Sequence, residues 1–268
     1  MVLTVGCLRV LAQVGEARAD SRGARQLRAL QCERAPLGRA DGSARWEQAG
    51  TAVLAAVHGP RVPSTAAQRE GLRCEVEVVW RPLCGAPGAR ERHREHLLRE
   101  ALQGAVLAGL HPRTAVTVVV QVLQDAGSLW ACALNAAGAA LVDAGVPLVG
   151  VLAGVACAVP RGGGALLLDP SAAEEAEADG LVQMAFAFQR GLEGAAGEGT
   201  GAGDRAAAAE CGEDGVSAGA LTLETVGAVP LERTLEALAL GRRGALQVAA
   251  FTRLSAERHF APLPTVPR

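Results

Sequence analysis

The sequence predicts one mixed α/β (α+β) domain, and three observations support this prediction. The chain of 268 residues is 50% hydrophobic and 20% charged, a composition that buries enough apolar surface to fold. Short apolar runs separated by turns fill the first third, which is typical of antiparallel strands. Beyond them, helical and strand patterns alternate, so helices and strands are expected to share one core.

The first third predicts four short strands that form a β-meander. In the fourth, Cys74, Val76, Val78 and Trp80 alternate with other residues, as in a strand with one buried face. The tight turns between the strands favour pairing of consecutive strands. The four predicted strands are Arg28–Leu37, Gly42–Gln48, Thr51–His58 and Leu72–Arg81.

The rest of the chain predicts βαβα-type layers. A helix over Arg90–Leu110 has apolar residues on one face, and Pro112 follows it. The glycines at 162–164 lie between two strand patterns and favour a hairpin turn over a phosphate loop, because no helix start follows them. The other predicted elements are a strand over Ala115–Leu123, an Ala-rich helix over Ser128–Val142, strands over Leu148–Val159, Ala165–Leu168, Val182–Phe188 and Leu221–Val226, and a helix from Leu231 to about Leu254.

The predicted folded domain spans residues 27–258, with one insertion inside it and one segment outside it at each end. Residues 1–26 are expected to form a poorly ordered N-terminal extension. Residues 191–219 form a Gly/Ala/Glu-rich low-complexity insertion, for which we expect flexibility. Residues 259–268 are expected to be an extended tail, because the chain end is rich in proline.

Charge and cysteine usage restrict the function classes. Residues 1–114 carry 17 arginines against 11 acidic residues, and the remainder carries 9 against 17, so an anionic partner is allowed on the basic half. The seven cysteines show no CxxC spacing, which indicates reduced, buried thiols and no metal site. The apolar stretch Ala126–Pro160 contains Asn135 and Asp143 and fits a buried helix and strand better than a membrane span. The N-terminus shows no secretory signal.

Several motifs, in order along the chain, resemble the RNase PH superfamily, and in particular the RNase PH-like subunits of the eukaryotic RNA exosome. The resemblance covers about Arg28 to Phe188. It implies a hetero-hexameric ring of RNase PH-like subunits, RNA-binding cap subunits, RNA as a ligand, no cofactor, no membrane, and a location in nucleus, nucleolus and cytoplasm. The matching segments are Asp41-Gly42-Ser43-Ala44, residues 48–60, residues 110–129, Leu134-Asn135-Ala136-Ala137, residues 140–147, residues 154–158 and Leu167-Leu168-Asp169-Pro170.

The resemblance places a degenerate phosphate site at the start of the Ala-rich helix. Phosphorolysis of an RNA 3′ end needs fixed positive charge around inorganic phosphate, which arginine supplies. Active relatives have a Gly-Thr/Ser-Arg-Thr/Ser motif at this helix start, whereas this chain has Gly127, Ser128, Leu129 and Trp130. The arginine position is therefore leucine, and we expect no phosphorolysis.

Two carboxylates keep the six-residue spacing of the family's acidic pair. By the resemblance, Asp169 and Glu175 are vestigial catalytic candidates that could bind a divalent ion or act as a general acid. Glu175 belongs, however, to an acidic run of Glu174, Glu175, Glu177 and Asp179, and such runs usually form a solvated face. We therefore assign no catalytic residue and no metal ligand.

An arginine group follows the fourth predicted strand. Arg90 matches an arginine that active relatives use to contact RNA or phosphate, and Arg92 and Arg94 are weaker RNA-binding candidates. The alternative is a solvated face neutralised by neighbouring glutamates. The second such arginine of the family falls at Gln103.

Three functions remain open from the sequence. The favoured one is a catalytically inactive structural subunit of the exosome ring that supports 3′-to-5′ RNA processing and degradation through scaffolding and RNA-channel contacts. The alternative is a residually active phosphate-dependent 3′-to-5′ exoribonuclease. An RNA-binding module outside a ring is disfavoured, because the chain has no tyrosine and no aromatic stacking platform.

Overall fold

Two β-sheets enclose a buried central helix. The structure is a computed structural model that describes Arg18 and residues 20–63, 73–190 and 216–261. The strands are β1 (Leu30–Arg34), β2 (Gly42–Gln48), β3 (Thr51–Arg61), β4 (Glu75–Arg81), β5 (Ala115–Gln124), β6 (Val151–Pro160), β7 (Leu167–Leu168), β8 (Ala178–Arg190) and β9 (Val216–Gly227). The helices are α1 (Ala89–Ala105), α2 (Leu129–Asp143), α3 (Ala172–Glu177) and α4 (Leu231–Phe260).

The first sheet has the order β1-β2-β3-β5-β4, and only three of its strands form the predicted meander. β1, β2 and β3 pair antiparallel, but β4 pairs parallel with β5. The prediction of a four-strand meander is therefore wrong at β4. The reason is that β4, α1 and β5 form a βαβ crossover, which requires parallel strands joined by a helix.

Helix α1 covers the free edge of β4. The side chain of Glu95 accepts the Trp80 backbone N–H at 3.1 Å, and that of Gln103 accepts the Val76 N–H at 2.8 Å. These bonds satisfy donors that an edge strand leaves unpaired. The helix ends at Ala105 rather than at the predicted Leu110, because Val106 is extended and pairs with Leu148.

The second sheet is antiparallel, with the order β7-β6-β8-β9. The triple glycine lies in the turn between β6 and β7, as predicted, although β7 is only two residues long. Strand β6 begins at Val151, later than the predicted Leu148. Residues 216–219 belong to β9 and not to the predicted insertion, whose residues 191–215 lie outside the described part of the chain.

Helix α2 lies between the two sheets, and its residues Leu129 to Leu141 are all buried. It contacts β2 and β3 on one side and β6 on the other. Small residues allow the close approach, since a Cβ on Gly154 of β6 would come within 2.9 Å of the Leu134 side chain. The Asn135 side chain bonds both the N–H and the C=O of Gly154, at 2.7 and 3.1 Å.

Helix α4 packs against the second sheet and runs six residues past the predicted end at Leu254. Arg34 from β1 holds this end, because it donates to the Thr252 carbonyl and to the Ser255 hydroxyl, both at 3.2 Å. His259 and Phe260 are therefore helical and do not belong to an extended tail. Residues 262–268 of that predicted tail lie outside the described residues.

Within the described residues no helix has the length and apolarity of a membrane span. Four cysteines there are buried, as predicted, but Cys84 is exposed in a turn, and all five are free. Burial raises the pKa of the Cys132 and Cys157 thiols. Cys7 and Cys211 lie outside the described ranges.

Candidate functional site

The loop between β5 and α2 is tightly turned at the degenerate phosphate motif. Gly127 has φ +103° and Ser128 has φ +51°, both in the left-handed region. The Ser128 hydroxyl donates to the Pro170 carbonyl at 3.0 Å and makes no cap for α2. The backbone N–H of Ser128 therefore points into the site at the positive end of a helix dipole.

The two residues after Ser128 bring no charge to the site. Leu129 is 6% exposed and Trp130 is 2% exposed. The Trp130 indole N–H has no hydrogen-bond partner in the described part of the chain. The side of the site that would carry the family's arginine is thus apolar.

The carboxylate of Glu175 occupies the anion position at the start of α2. Its Oε1 accepts the Ser128 backbone N–H at 2.6 Å. Burial raises the pKa of the Glu175 carboxyl; the Ser128 hydrogen bond opposes this effect and Asp125 adds to it. A negative side chain of this protein therefore sits where a helix start would hold a free anion.

Asp169 lies deeper, in a buried ion pair with Arg28. The Arg28 Nη2 and Nε atoms lie 2.7 and 3.0 Å from the two Asp169 carboxylate oxygens, and the Arg28 backbone N–H adds a bond of 2.9 Å. The side chains of Arg28 and Asp169 are 4% and 1% exposed. Asp169 is thus neutralised by a residue that the sequence did not indicate as a site residue.

All five N–H donors of the Arg28 guanidinium are engaged. Besides Asp169, they reach the Thr51 hydroxyl and the Ala126 carbonyl at 3.3 Å and the Gly127 carbonyl at 2.9 Å. Thr51 also donates to the Gly127 carbonyl at 2.7 Å. Since a guanidinium has five donors, Arg28 has none left for a phosphate.

The loop and α3 are in direct contact at Gly127. A Cβ at this position would lie 2.5 Å from the Ala172 nitrogen and 2.7 Å from the Pro170 carbonyl oxygen. The Ala172 N–H donates to the Ala126 carbonyl at 2.9 Å. Residues 170–172 therefore cover Gly127 with backbone, which leaves no space for a side chain.

Only part of the acidic run forms the solvated face that the sequence allowed: Glu177 and Asp179 are exposed, whereas Glu174 and Glu175 are half-buried. The carboxylate of Glu174 receives two bonds from Arg18, of 2.7 and 2.8 Å, and caps the backbone N–H of Ser171 at 2.8 Å. Burial alone would raise the pKa of Glu174, but the hydrogen bonds and charge of Arg18 and the bonds from Ser171 outweigh it and lower that pKa. Arg18 belongs to the predicted poorly ordered extension, yet it is buried.

The predicted RNA-binding arginines lie on α1. Arg90 and Arg92 are exposed, and Arg94 is half-buried. The positive charge of Arg94 opposes the rise in the pKa of the Glu175 carboxyl that burial causes. Gln103, at the other family position, bonds the backbone of β4 at Val76 and Cys74.

The structure brings Gly127, Ser128, Glu175 and Asp169 together, while sequence reasoning missed Arg18, Arg28 and Thr51. No pattern signalled these three, because each partner lies far away along the chain. In the described ranges, no group of three or more His, Cys, Asp or Glu side chains could hold a metal ion.

Two sheets around a buried helix, whose start faces two carboxylates, define a protein with an RNase PH-like fold. Residues 26–147 match the 3′ exoribonuclease family, domain 1. The chain is 42% identical over 175 residues to the "Exosome complex exonuclease RRP46 homolog" of Oryza sativa subsp. japonica, covering 65% of this chain and 73% of that protein. It is 39% identical over 169 residues to the homologue of the same name from Arabidopsis thaliana, covering 63% and 70%.

A solved structure agrees with these sequence matches. The crystal structure of rice Rrp46 superimposes with a TM-score of 0.74 at 32% identity, covering 89% of this chain and 99% of that chain. The chain belongs to the RNase PH family of 3′ exoribonucleases. The predicted family and fold class are confirmed.

Proposed function

We propose that this protein is a catalytically inactive RNase PH-like subunit of the RNA exosome core ring, which supports 3′-to-5′ RNA processing and degradation by scaffolding and by contacts to RNA in the channel. Its plant relatives carry the name of the exosome complex, which supports the place in that assembly. Other RNase PH-like subunits and RNA-binding cap subunits are its proposed partners. We further propose a location in nucleus, nucleolus and cytoplasm, which imaging of the tagged chain checks.

One observation supports the inactive role: a carboxylate of the chain itself accepts the N–H at the helix start where the resemblance places the phosphate. The Glu175 carboxylate accepts a hydrogen bond from the Ser128 backbone N–H, and Asp169 neutralises the charge of Arg28. Phosphorolysis brings two anions together, so a resident carboxylate at this helix start, with every donor of Arg28 engaged, opposes the binding of a further anion.

The size of the deficit supports the same conclusion. Each charge-assisted hydrogen bond contributes about 1.5–3 kcal/mol, and loss of a single preorganised donor costs about a hundredfold or more in rate. Leu129 stands at the family's arginine position, and Trp130 replaces the following hydroxyl.

The catalytic part is tested with phosphate, 3′-labelled RNA and the chain, alone and within the reconstituted ring. We expect no release of nucleoside diphosphates beyond a protein-free control. Phosphate-dependent release that Glu175→Gln removes and Glu177→Gln retains would refute the inactive role. Glu177 is a suitable control because it is exposed on the same short helix.

The assembly part is tested by mixing the purified chain with candidate RNase PH-like subunits. We expect co-elution in gel filtration as a defined complex, whose mass is measured by native mass spectrometry. A chain that stays alone with every partner but binds RNA would support the RNA-binding module instead.

The residually active exoribonuclease remains a second candidate, and one observation favours it. Burial raises the pKa of Glu175, as expected for a general acid, and buried Asp169 lies beneath the same helix start. On this alternative Leu129→Arg increases phosphate-dependent activity, because it restores the missing cation. On the favoured function the same substitution has no such effect, because Glu175 still occupies the Ser128 N–H.

A further inference from the structure

Arg18 and residues 20–26, which we call the N-terminal segment, lie across the junction of β7 and α3. The Ala24 carbonyl accepts the Leu168 backbone N–H at 2.8 Å, so the segment extends the pairing of β7. Arg22 donates to the Asp169 carbonyl at 3.4 Å. The segment thus contacts the backbone of Leu168 and of Asp169, the first of the two acidic candidates.

Arg18 forms the most extensive contacts of this segment. Its guanidinium binds both carboxylate oxygens of Glu174 and also donates to the carbonyls of Leu168 and Asp169, at 2.7 and 3.3 Å. The Arg18 side chain is 2% exposed. A bidentate, buried contact of this kind fixes both the position and the orientation of the Glu174 carboxylate.

Helix α3 depends on such polar contacts for its position. It has six residues, and none of them is buried, so apolar packing does not hold it. An isolated helix of this length is unstable in water. Its polar attachments are the capping box of Ser171 and Glu174, the Ala172 bond to Ala126, the Glu175 bond to Ser128 and the Arg18 pair.

We propose that Arg18 is a positioning residue that holds α3 against the start of α2, so that Glu175 stays on the Ser128 N–H. The N-terminal segment then acts as a latch on the closed anion position. Arg18 reaches Glu174, Glu174 caps α3 at Ser171, and the next residue on α3 is Glu175. This inference rests on the part of the proposed function that lets Glu175 fill the phosphate position.

The test is hydrogen exchange of the Ser128 amide in the full chain, measured by NMR. Arg18→Gln is expected to speed this exchange about tenfold or more, because a lost buried contact raises the local opening population. Amides in the centres of β5 and β6 are expected to keep their rates. Arg18→Lys, which keeps the charge but not the fork, is expected to give an intermediate increase.

The matched control is Arg25→Gln, an exposed arginine on the same segment, for which we expect an unchanged Ser128 rate. A second comparison uses Glu175→Gln as background, where Ser128 has already lost its charged acceptor. There Arg18→Gln is expected to change Ser128 exchange by less than about twofold, because its effect passes through Glu175.

Two outcomes would overturn the latch. Ser128 could stay protected in Arg18→Gln, or the acceleration could spread equally to β5 and β6, which would make Arg18 a general stabilising residue. Exchange is measured without RNA or phosphate. A failure of the latch is therefore distinguishable from phosphorolytic activity, which would contradict the proposed function instead.

Discussion

Arg28 and Asp169 bury opposite charges under the start of α2. Asp169 adopts φ +52°, a left-handed conformation that Asn also tolerates well. Asp169→Asn therefore keeps the backbone conformation, but it removes the charge and replaces one carboxylate acceptor of Arg28 with an amide donor. We expect it to lower the free energy of unfolding by about 3–5 kcal/mol, because Arg28 is left buried without a counter-charge.

Urea unfolding measures this loss, and Asp179→Asn is the control. Asp179 forms an exposed pair with Arg161, and loss of such a pair costs under about 1 kcal/mol. Equal losses in the two variants would contradict the importance of the buried pair.

Glu175 predicts an unusual dependence of stability on pH. Burial raises the pKa of Glu175 in the folded chain above the ordinary 4.5. Between pH 4.5 and this raised pKa, the folded chain therefore binds more protons than the unfolded chain. This contribution to the free energy of unfolding therefore falls as pH rises through that window. We expect the wild type to gain stability relative to Glu175→Gln as pH is lowered from neutral towards 4.5.

Urea unfolding of both proteins across this pH range measures the difference. Glu177→Gln removes an exposed carboxyl from the same helix and serves as the control. A difference between wild type and Glu175→Gln that does not change with pH would contradict the predicted sign.

At the residue scale, the sequence indicated which side chains meet but not what neutralises them. The resemblance placed Asp169 and Glu175 near Gly127. Arg18 lies 156 residues from Glu174, and Arg28 lies 141 residues from Asp169. Periodicity reports local structure only, so such pairs are not predictable from one sequence.

Between α2 and β6, small residues set the distance between helix and sheet. A Cβ on Gly154 would lie 2.9 Å from the Leu134 side chain and 3.0 Å from the Ala131 carbonyl oxygen. We expect Gly154→Ala to lower the free energy of unfolding by about 1–3 kcal/mol through overpacking.

Thermal or urea unfolding tests this effect against Gly219→Ala. Gly219 is exposed on β9, and an added Cβ there meets nothing within 4 Å. A comparable loss in the control would mean that the change of residue type, and not the contact, causes the effect.

At the element scale, the type of most elements was predictable and the pairing of β4 was not. The alternation Cys74, Val76, Val78, Trp80 identified the strand correctly. The turns before this strand favour antiparallel pairing with β3, whereas the helix after it is typical of a parallel crossover to β5. The ends of α1 and α4 depend on contacts with Leu148 and Arg34, which local patterns do not contain.

At the scale of the whole molecule, the exposed arginines Arg90 and Arg92 on α1 are the candidates for contact with RNA. We expect Arg90→Gln to weaken RNA binding by similar factors for different RNA sequences, because phosphate contacts carry no sequence information. The slope of log affinity against log salt concentration is expected to become shallower by about 1.

Fluorescence titrations at several salt concentrations check this expectation. Arg243→Gln, exposed on α4, is the matched control and should leave both the affinity and the slope unchanged. An unchanged slope in Arg90→Gln would remove Arg90 from the RNA-contacting surface.

The five engaged donors of Arg28, together with Glu175 on the Ser128 N–H, mean that on the proposed function no single substitution introduces phosphate chemistry. One change must supply a cation near position 129, and another must remove the carboxylate from the helix start. The double variant Leu129→Arg with Glu175→Gln is therefore the smallest change that meets both requirements.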